Sequence, residues 1–175
     1  AAAAVVEEIA GLEGPATASA IVTDLAVGDA CREAVAEAAE ACGQLDVVIS
    51  NAAAWTDEPF LEMQVDSWNR VIDVNLHASF HVGQAAARIM SEAGGGVILF
   101  TSSIVSRGGC RGYVHYNASK AGIASLVQTM AIELATYGIR VNCISPGPTD
   151  TPQSVAVAGE ELMEKFRHEF PWAPL

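Results

Sequence analysis

The sequence VILFTS at positions 97–102 decides the fold of this 175-residue chain. An apolar, partly β-branched run of this length is typical of a strand that is buried on both faces of a parallel sheet. Residues 45–50 show the same pattern, and more mixed apolar runs occupy residues 19–25 and 139–144. The sequence therefore predicts four strands.

Helical periodicity fills the intervals between these strands. The predicted helices cover residues 28–42, 67–92 and 115–137, with the end of another helix at 1–12 and an amphipathic helix near 159–170. Strands that alternate with helices of this length indicate βαβ units, a parallel sheet and right-handed crossovers. We expect a single α/β domain over residues 1–175, built on a doubly wound parallel sheet.

The composition limits the classes of partner. The net charge is −12, the chain is 51% hydrophobic, and only 17% of its residues are charged. So much apolar sequence excludes a disordered chain, and the acidic balance argues against nucleic acid and anionic membranes as partners. No apolar run approaches the roughly 20 residues that span a bilayer. The small charged fraction points instead to buried contacts between subunits, and hence to a homo-oligomer.

The cysteines and the N-terminus bear on the compartment. Cys31, Cys42, Cys110 and Cys143 form no C-x-x-C pair and show no spacing typical of a zinc site. Scattered cysteines of this kind are typical of apolar packing in a reducing compartment. Residues 1–6 lack the basic flank and processing site of a signal peptide. We therefore expect a cytoplasmic protein.

Polar residues close the predicted strands, at the sheet edge where ligands bind in folds of this class. These are Asp24, Asn51, the pair Ser102 and Ser103, and the segment 146–151. Next along the chain, Tyr116 and Lys120 are four residues apart on a predicted helix and so share one face. A nearby cation favours the phenolate and lowers the pKa of a tyrosine, which suits proton transfer to or from an alcohol or carbonyl oxygen.

Ser103, just after the predicted strand at residues 97–102, can place its hydroxyl on the same substrate oxygen, although Ser102 is a competitor for that role. Asn75 stands among apolar neighbours in a predicted helix interior, where asparagine is unfavourable and needs a reason. His77 and His81 are also four residues apart, but no third ligand at helical spacing joins them, so packing is the favoured interpretation and no metal site is predicted.

Taken in order, these motifs resemble the short-chain dehydrogenase/reductase family over residues 19–152, most of the chain. The resemblance implies a three-layer Rossmann-like sheet, of which this chain would supply strands three to six. It also implies a catalytic set of four residues: Asn75, Ser103, Tyr116 and Lys120. The positions that resemble the family's cofactor contacts, beside Tyr116 and Lys120, are Asp24 and Leu25, Asn51, Ala52 and Ala53, and Pro146, Gly147, Thr149 and Thr151.

The implied activity is hydride transfer between NAD or NADP and a secondary alcohol/ketone pair. In that scheme Tyr116 is the general acid/base, and Lys120 lowers its pKa and holds the nicotinamide ribose. Ser103 polarises the carbonyl, and Asn75 holds a water that connects Lys120 to solvent. A 3-oxoacyl-carrier-protein reductase is one alternative, ranked lower because an acidic carrier prefers a basic docking patch. A non-catalytic binding or regulatory relative is the other.

The sequence departs from the family at two places. Ala53 stands where the family has glycine, and the Gly-rich phosphate loop after the first strand is missing. In the family's strand order two strands separate the third from the fourth, so we expect this chain to lack portions at both ends. The residue that selects NAD or NADP follows the second strand, and the choice therefore stays open.

The resemblance also implies roles for surrounding segments. Residues 153–171 resemble a substrate-covering segment, with Met163 and Phe166 presenting an apolar face. The loops carrying Trp55, Cys110, Tyr113 and His115 border the implied substrate site. Helices 67–92 and 115–137, unusually rich in small apolar residues, correspond to a contact between subunits, so a homotetramer or dimer is expected.

Overall fold

The computed structural model describes residues 2–12, 14–149, 151, 155–156, 159–161 and 163–164. Three strands and five α-helices are assigned within them. In chain order the elements are α1 (Ala2–Ala10), α2 (Gly28–Cys42), β1 (Val47–Ser50), α3 (Val65–Ile72), a π-turn (Asp73–His77), α4 (Ala78–Ala93), β2 (Gly96–Thr101), a 3₁₀ turn (Ile104–Arg107), α5 (Val114–Leu134), a second 3₁₀ turn (Ala135–Tyr137) and β3 (Ile139–Ile144).

The three strands form one parallel sheet in the order β1-β2-β3. Val47 pairs with Val97, and Gly96 pairs with Ile139, so every strand runs in the same direction and β2 is central. Each pair is joined through helices, α3 and α4 between β1 and β2 and α5 between β2 and β3. This arrangement confirms the predicted α/β class and the parallel sheet.

The core lies between the sheet and the helices that follow each strand. Helix α5 packs on β2 and β3, while α4 packs on β1, β2 and helix α2. The fully buried apolar side chains of this core include Ala86, Met90, Ile98, Phe100, Ile123 and Ile139. Among the residues that the structure describes, no helix is both long and apolar enough to cross a membrane.

The predicted strand at residues 19–25 is wrong. Residues 16–24 have no regular secondary structure, and a turn follows at residues 25–26. A strand needs a neighbour for its backbone hydrogen bonds, and the described residues contain neither of the two strands that the family places between this segment and β1. The sheet therefore has three strands here, and not four.

The long helix predicted over residues 67–92 is continuous, but it is not uniformly α-helical. The π-turn Asp73–His77 interrupts it after Ile72, and the helix resumes at Ala78. A π-turn widens the helix by one residue and is frequent at functional sites. The buried Asn75 lies at its centre.

The helix bounds are otherwise close to the predictions. Helix α2 spans the predicted residues 28–42, and Gly43 ends it in the left-handed conformation with φ 74°. Of the helix predicted near 159–170, residues 160–161 and 163–164 are helical, and Met163 is buried. Most of the substrate-covering segment predicted at 153–171, including Phe166, lies outside the described residues, as does Pro152.

Candidate active site

The sheet brings the predicted catalytic side chains together at the carboxyl end of β2. Ser102 and Ser103 directly follow this strand, while Tyr116 and Lys120 lie in the first turns of α5. The Lys120 ammonium is buried and lies 5.5 Å from the centroid of the Tyr116 ring. Its Nζ donates a 2.7 Å hydrogen bond to the carbonyl oxygen of Thr101, the last residue of β2.

The two neighbouring serines have different partners, which decides between them. Ser102 Oγ is fully buried and donates a 2.9 Å hydrogen bond to the carbonyl oxygen of Lys120, so it fastens α5 to the end of the strand. Ser103 Oγ instead accepts a 3.4 Å hydrogen bond from the N–H of Val105, and the Ser103 hydroxyl interacts with the Tyr116 phenol, whose pKa it lowers. Because only Ser103 is directed at Tyr116, it is the serine that can share a substrate oxygen with the phenol.

The acid–base properties of the pair differ from the expectation. Burial raises the pKa of Tyr116 above 10.0, and the hydrogen bond from Ser103 offsets this only in part. Burial also lowers the pKa of Lys120 to about 8. The prediction that Lys120 lowers the pKa of Tyr116 therefore does not hold in this structure, because removal from water penalises the charged form of both groups. At neutral pH the phenol is protonated and the ammonium is charged.

Asn75 is held by the backbone of the loop after β1. Its Oδ1 accepts a 2.7 Å hydrogen bond from the N–H of Ala54, and its Nδ2 donates to the carbonyl oxygen of Ala54 at 2.9 Å. The same Nδ2 donates to Ser119 Oγ at 3.0 Å, and this hydroxyl donates to the Tyr116 carbonyl oxygen at 2.8 Å. Asn75 thus links the loop after β1 to the turn of α5 that carries Tyr116.

Ser119 was not among the predicted site residues. Its buried position in the turn between Tyr116 and Lys120 is the signal that could have identified it, because a buried hydroxyl in a helix interior requires a partner. The water-holding role predicted for Asn75 stays a prediction.

The segments predicted to contact the cofactor flank β2 on both sides. The side chain of Asn51, just after β1, accepts a 2.8 Å hydrogen bond from Thr101 Oγ1, and residues 51–52 are exposed. After β3, the Pro146 carbonyl oxygen accepts a hydrogen bond from the N–H of Ile104 at 3.1 Å, and Thr149 Oγ1 donates to the Gly147 carbonyl oxygen at 3.2 Å. These segments lie at the ends of the strands beside the Lys120 ammonium.

Asp24 and Leu25 lie in a different place, at the turn before α2. The Asp24 carboxylate accepts a hydrogen bond from the N–H of Ala26 at 3.0 Å and lies 3.6 Å from Arg70 Nη1. The carbonyl oxygen of Leu25 accepts a hydrogen bond from Cys31 Sγ at 3.3 Å. Of the remaining predicted contacts, Ala53 is half-buried beside Ala54, and Thr151 is half-buried.

The groups at the end of β2 fit the nicotinamide–ribose end of a dinucleotide. An ammonium has three N–H donors, and the bond to Thr101 uses one of them, so two remain for ribose hydroxyls. A Cβ added to Gly147 would meet only Ile104, at 3.9 Å, so a ligand can approach the backbone there closely. The sequence offers no matching site for the pyrophosphate of the dinucleotide, because no Gly-rich loop follows a strand in it.

An aromatic cluster borders Tyr116. The ring centroid of Trp55 lies 5.6 Å from that of Tyr113 and 6.1 Å from that of Tyr116, with tilted planes. The exposed Cys110 anchors the facing loop through its carbonyl oxygen, which accepts a hydrogen bond from the N–H of Tyr113 at 3.3 Å. Trp55 and Tyr113 thus form an aromatic surface next to the phenol.

The imidazole of His115, beside this cluster, is fully buried and bonded through both nitrogens. Its Nδ1 lies 2.8 Å from the backbone nitrogen of Tyr116, and its Nε2 lies 2.8 Å from Thr56 Oγ1. Thr56 Oγ1 in turn donates to Glu58 Oε1 at 3.0 Å. Nothing in the sequence pattern marks Thr56 or Glu58 as members of this group, because they precede His115 by 59 and 57 residues.

The histidine pair at positions 77 and 81 has separate partners. His77 Nδ1 lies 2.8 Å from Asp73 Oδ1, whereas His81 Nδ1 lies 2.8 Å from Arg32 Nη1. Within the described part of the chain, no group of three or more His, Cys, Asp or Glu side chains could hold a metal ion. The pair therefore makes local ion-pair and helix-packing contacts.

Comparison with known proteins finds a reductase family model and several dehydrogenases that are similar to this chain. A family model described as enoyl-(acyl carrier protein) reductase matches residues 1–173. L-rhamnose 1-dehydrogenase (NAD(P)(+)) of Azotobacter vinelandii is 41% identical over 146 residues, which are 83% of this chain and 56% of that protein. The (3R)-3-hydroxyacyl-CoA dehydrogenase of Mus musculus is 41% identical over 156 residues, 87% of this chain and 60% of that one.

A solved structure shares the fold. The 7α-hydroxysteroid dehydrogenase complexed with NADH and 7-oxo glycochenodeoxycholic acid superposes with a TM-score of 0.88 at 31% identity, over 95% of this chain and 64% of that chain. In each of these cases the chain spans less than two thirds of the length of its relative.

Proposed function

Because the chain belongs to the short-chain dehydrogenase/reductase family, we propose that it carries the catalytic part of an NAD(P)-dependent oxidoreductase that interconverts a secondary alcohol and a ketone. The observation that carries the proposal is the placement of three groups at one strand end. Ser103 reaches the Tyr116 phenol, and the buried Lys120 ammonium lies 5.5 Å from the ring. A phenol, a hydroxyl and a cation so arranged suit proton transfer at a carbonyl oxygen.

Each residue has a defined part in reduction. The Ser103 hydroxyl donates a hydrogen bond to the substrate carbonyl oxygen, and the Tyr116 phenol donates its proton to that oxygen as the alkoxide forms. The raised pKa of Tyr116 keeps this proton in place at neutral pH. The nicotinamide, when bound, supplies the hydride, and the two remaining N–H donors of Lys120 hold its ribose. In the oxidative direction Tyr116 must first release this proton, and the phenolate then accepts the proton of the alcohol.

The substrate class is open, and the relatives define which compounds to test. They are named for L-rhamnose, a 3-hydroxyacyl-CoA and hydroxysteroids, which all carry a hydroxyl that can be oxidised to a carbonyl. The match to a family model named for an acyl-carrier-protein substrate favours a second candidate, a carrier-protein reductase. The net charge of −12 weighs against docking of an acidic carrier. A non-catalytic relative is the third reading.

A substrate panel tests the activity. The purified protein is assayed with L-rhamnose, 3-hydroxybutyryl-CoA, a 7α-hydroxysteroid and cyclohexanol, each with NAD and with NADP, by following absorbance of the reduced nicotinamide. We expect turnover of at least one compound. Binding of NADH or NADPH without any turnover would support the non-catalytic reading and contradict the proposal.

We also propose the assembly and the surroundings of the site. A groove of about 400 Å³ lies between α4 and α5, and Phe80 and Tyr137 are partly exposed along it. An apolar groove on the two helices that the family resemblance assigns to subunit contact supports a homodimer or homotetramer. A cytoplasmic location and a covering role for residues 153–171 remain proposals that rest on the sequence.

A further inference from the structure

A continuous set of hydrogen bonds runs from the loop after β1 to the backbone of Tyr116. Glu58 Oε1 accepts from Thr56 Oγ1 at 3.0 Å, and Thr56 Oγ1 lies 2.8 Å from His115 Nε2. His115 Nδ1 lies 2.8 Å from the backbone nitrogen of Tyr116. Every atom in the set has a partner, although the proposed mechanism uses neither His115 nor the loop.

The directions of these bonds fix one tautomer of His115. A backbone N–H can only donate, so the Tyr116 N–H donates to Nδ1, which must carry no proton. The Thr56 hydroxyl gives its single proton to the Glu58 carboxylate, so it can only accept from His115. The imidazole proton is therefore on Nε2, and the imidazole is neutral. Burial lowers the pKa of His115 below 6.5, although the nearby Glu58 and a hydrogen bond with the backbone of Tyr113 act in the opposite direction, which is consistent with a neutral imidazole.

The N-terminus of α5 needs a hydrogen-bond acceptor, and this need explains the position of the His115 ring. Helix α5 begins at Val114, and Tyr113, its N-cap residue, provides no side-chain hydrogen bond. The first N–H groups of a helix have no partner within the helix, and the Tyr116 N–H is one of them. His115 Nδ1 is the acceptor for the Tyr116 N–H, and His115 Nε2 is hydrogen-bonded to Thr56, in the loop that carries Trp55.

The far end of the set is anchored to α3. Glu58 Oε2 accepts a hydrogen bond from the N–H of Gln64 at 3.2 Å, and the carboxylate also accepts from the Ser67 side chain. These contacts, with that from Thr56, hold the pKa of Glu58 below its usual value, so the acceptor stays ionised at neutral pH. The loop from Trp55 to Gln64 is thus tied near its start to α5, through Thr56, and to the beginning of α3, through Glu58.

We propose that His115, as the neutral Nε2–H tautomer, is a positioning residue that couples the Trp55 loop to the catalytic helix and so sets the aromatic surface against Tyr116. This inference rests on the proposed function, because Tyr116 and Trp55 are assigned to the substrate site there. Loosening of the coupling moves Trp55, which faces the substrate, more than Tyr116, which stays in α5. The effect therefore falls on substrate KM more than on kcat.

The tautomer is tested without any assay of activity. In protein labelled with ¹⁵N-histidine, the imidazole nitrogen shifts report which nitrogen carries the proton, and His115→Gln identifies the signals of His115 by their loss. We expect the Nε2–H form at pH 7. An Nδ1–H form, or an imidazolium at that pH, would overturn the proposal. Because this readout needs no substrate, it stands even if the panel shows no turnover and the proposed function fails.

The coupling is tested with Thr56→Val, which keeps the shape of the side chain and removes the hydroxyl. For the panel compound that is turned over fastest, we expect substrate KM to rise about fivefold, the effect of one lost hydrogen bond, with kcat changed less than about twofold. Thr56→Ser, which retains a hydroxyl, restores the wild-type KM.

His115→Asn places an amide oxygen where Nδ1 lies but cannot reach Thr56, so it reproduces the KM effect of Thr56→Val. The matched control is Thr136→Val, in the 3₁₀ turn that follows α5 and about 30 Å from Tyr116 along that helix, where the hydroxyl donates to the Glu133 carbonyl oxygen; its KM is unchanged. An unchanged KM in Thr56→Val, or equal losses in Thr56→Val and Thr56→Ser, would show that the hydroxyl has no positioning role.

Discussion

Lys120 carries a positive charge in a place from which water is excluded. Its side chain is 2% exposed, and among the described residues only the Thr101 carbonyl oxygen accepts a hydrogen bond from Nζ. The cost of this burial appears as a pKa of about 8 instead of 10.5. Lys120, which we propose holds the cofactor, is therefore a source of instability in the protein without ligand.

The first prediction concerns this buried charge. Between pH 8 and 10.5 the unfolded chain binds the Lys120 proton and the folded protein has lost it, so the free energy of unfolding rises with pH in this window. From pH 7 to pH 9 the expected gain is about 1 kcal/mol. Urea unfolding of wild type and Lys120→Met at both pH values measures it.

Burial also raises the pKa values of Tyr116, Tyr113 and Cys31, and above about pH 9 these groups lower the free energy of unfolding as the pH rises. Lys120→Met serves as the reference because it retains all three groups and lacks only the ammonium. We expect a smaller rise with pH in Lys120→Met. Parallel curves for the two proteins would mean that the buried ammonium does not lose its proton in this range.

The second prediction concerns the proton donor. Tyr116→Phe keeps the ring beside Trp55 and Ser103 but removes the phenolic proton, so turnover should fall about 10³-fold. Binding of NADH, followed by quenching of protein fluorescence, should persist because Lys120 and the backbone groups at the strand ends remain. Appreciable turnover in this variant would show that another group transfers the proton.

At the scale of elements, the π-turn Asp73–His77 presents Asn75 to two neighbouring elements. Its amide satisfies both backbone groups of Ala54 and reaches Ser119 on α5. The third prediction is that Asn75→Leu, similar in volume, leaves these buried groups without partners and lowers the free energy of unfolding by about 3 kcal/mol. Chemical denaturation measures the loss.

Asn69→Leu is the control, because the side chain of Asn69 lies on the same long helix and is exposed. We expect a change within about 0.5 kcal/mol there. Equal effects of the two substitutions would contradict the structural role assigned to Asn75.

The turns that begin β2 and β3 touch through their backbones. A Cβ added to Gly95 would lie 2.7 Å from the Gly138 carbonyl oxygen, and Gly95 has φ 139°, a conformation that other residues rarely adopt. The fourth prediction is that Gly95→Ala lowers the free energy of unfolding by about 2 kcal/mol or more. Gly108→Ala, where an added Cβ meets nothing within 4 Å, should be nearly neutral in the same measurement.

The sequence predicted an element correctly where the residues that determine it lie within the element itself. The bounds of α2 and β3 followed from periodicity and from Gly43 and Gly138, because these signals lie within the element itself. The segment 19–25 also has a strand-like pattern, but a strand forms only beside a partner, and the pattern carries no information about that partner. Nothing in the sequence marks the π-turn except Asn75, an asparagine in a predicted helix interior, where this residue is unfavourable.

The sequence predicted that Tyr116, Lys120 and Ser103 lie together, and the structure places them at one strand end, but their catalytic roles stay predictions. The burial that shifts the pKa values of Tyr116 and Lys120 depends on the depth of both groups below the surface, which only the packed structure provides. The bond between Thr56 and His115 crosses 59 residues of sequence, and no pattern in a single sequence indicates such a pair.

At the scale of the whole molecule, the groove between α4 and α5 is the surface on which the proposed assembly depends. The fifth prediction is that Phe80→Glu, which places a charge where a partly exposed ring now lines the groove, shifts the proposed oligomer towards monomer in light scattering. Leu12→Glu removes another exposed apolar side chain, outside both helices, and should leave the mass unchanged. A monomeric wild type at micromolar concentration would refute the assembly.

The parallel sheet has a consequence for the rate at which this chain reaches its structure. Because Val47 pairs with Val97 and Gly96 with Ile139, each strand pair closes a loop of more than 40 residues before its first hydrogen bond forms. Closing such loops costs entropy that no turn within the pair offsets. Folding is therefore expected in milliseconds to seconds, and α4 and α5, which form from local contacts, precede the sheet that aligns the catalytic groups.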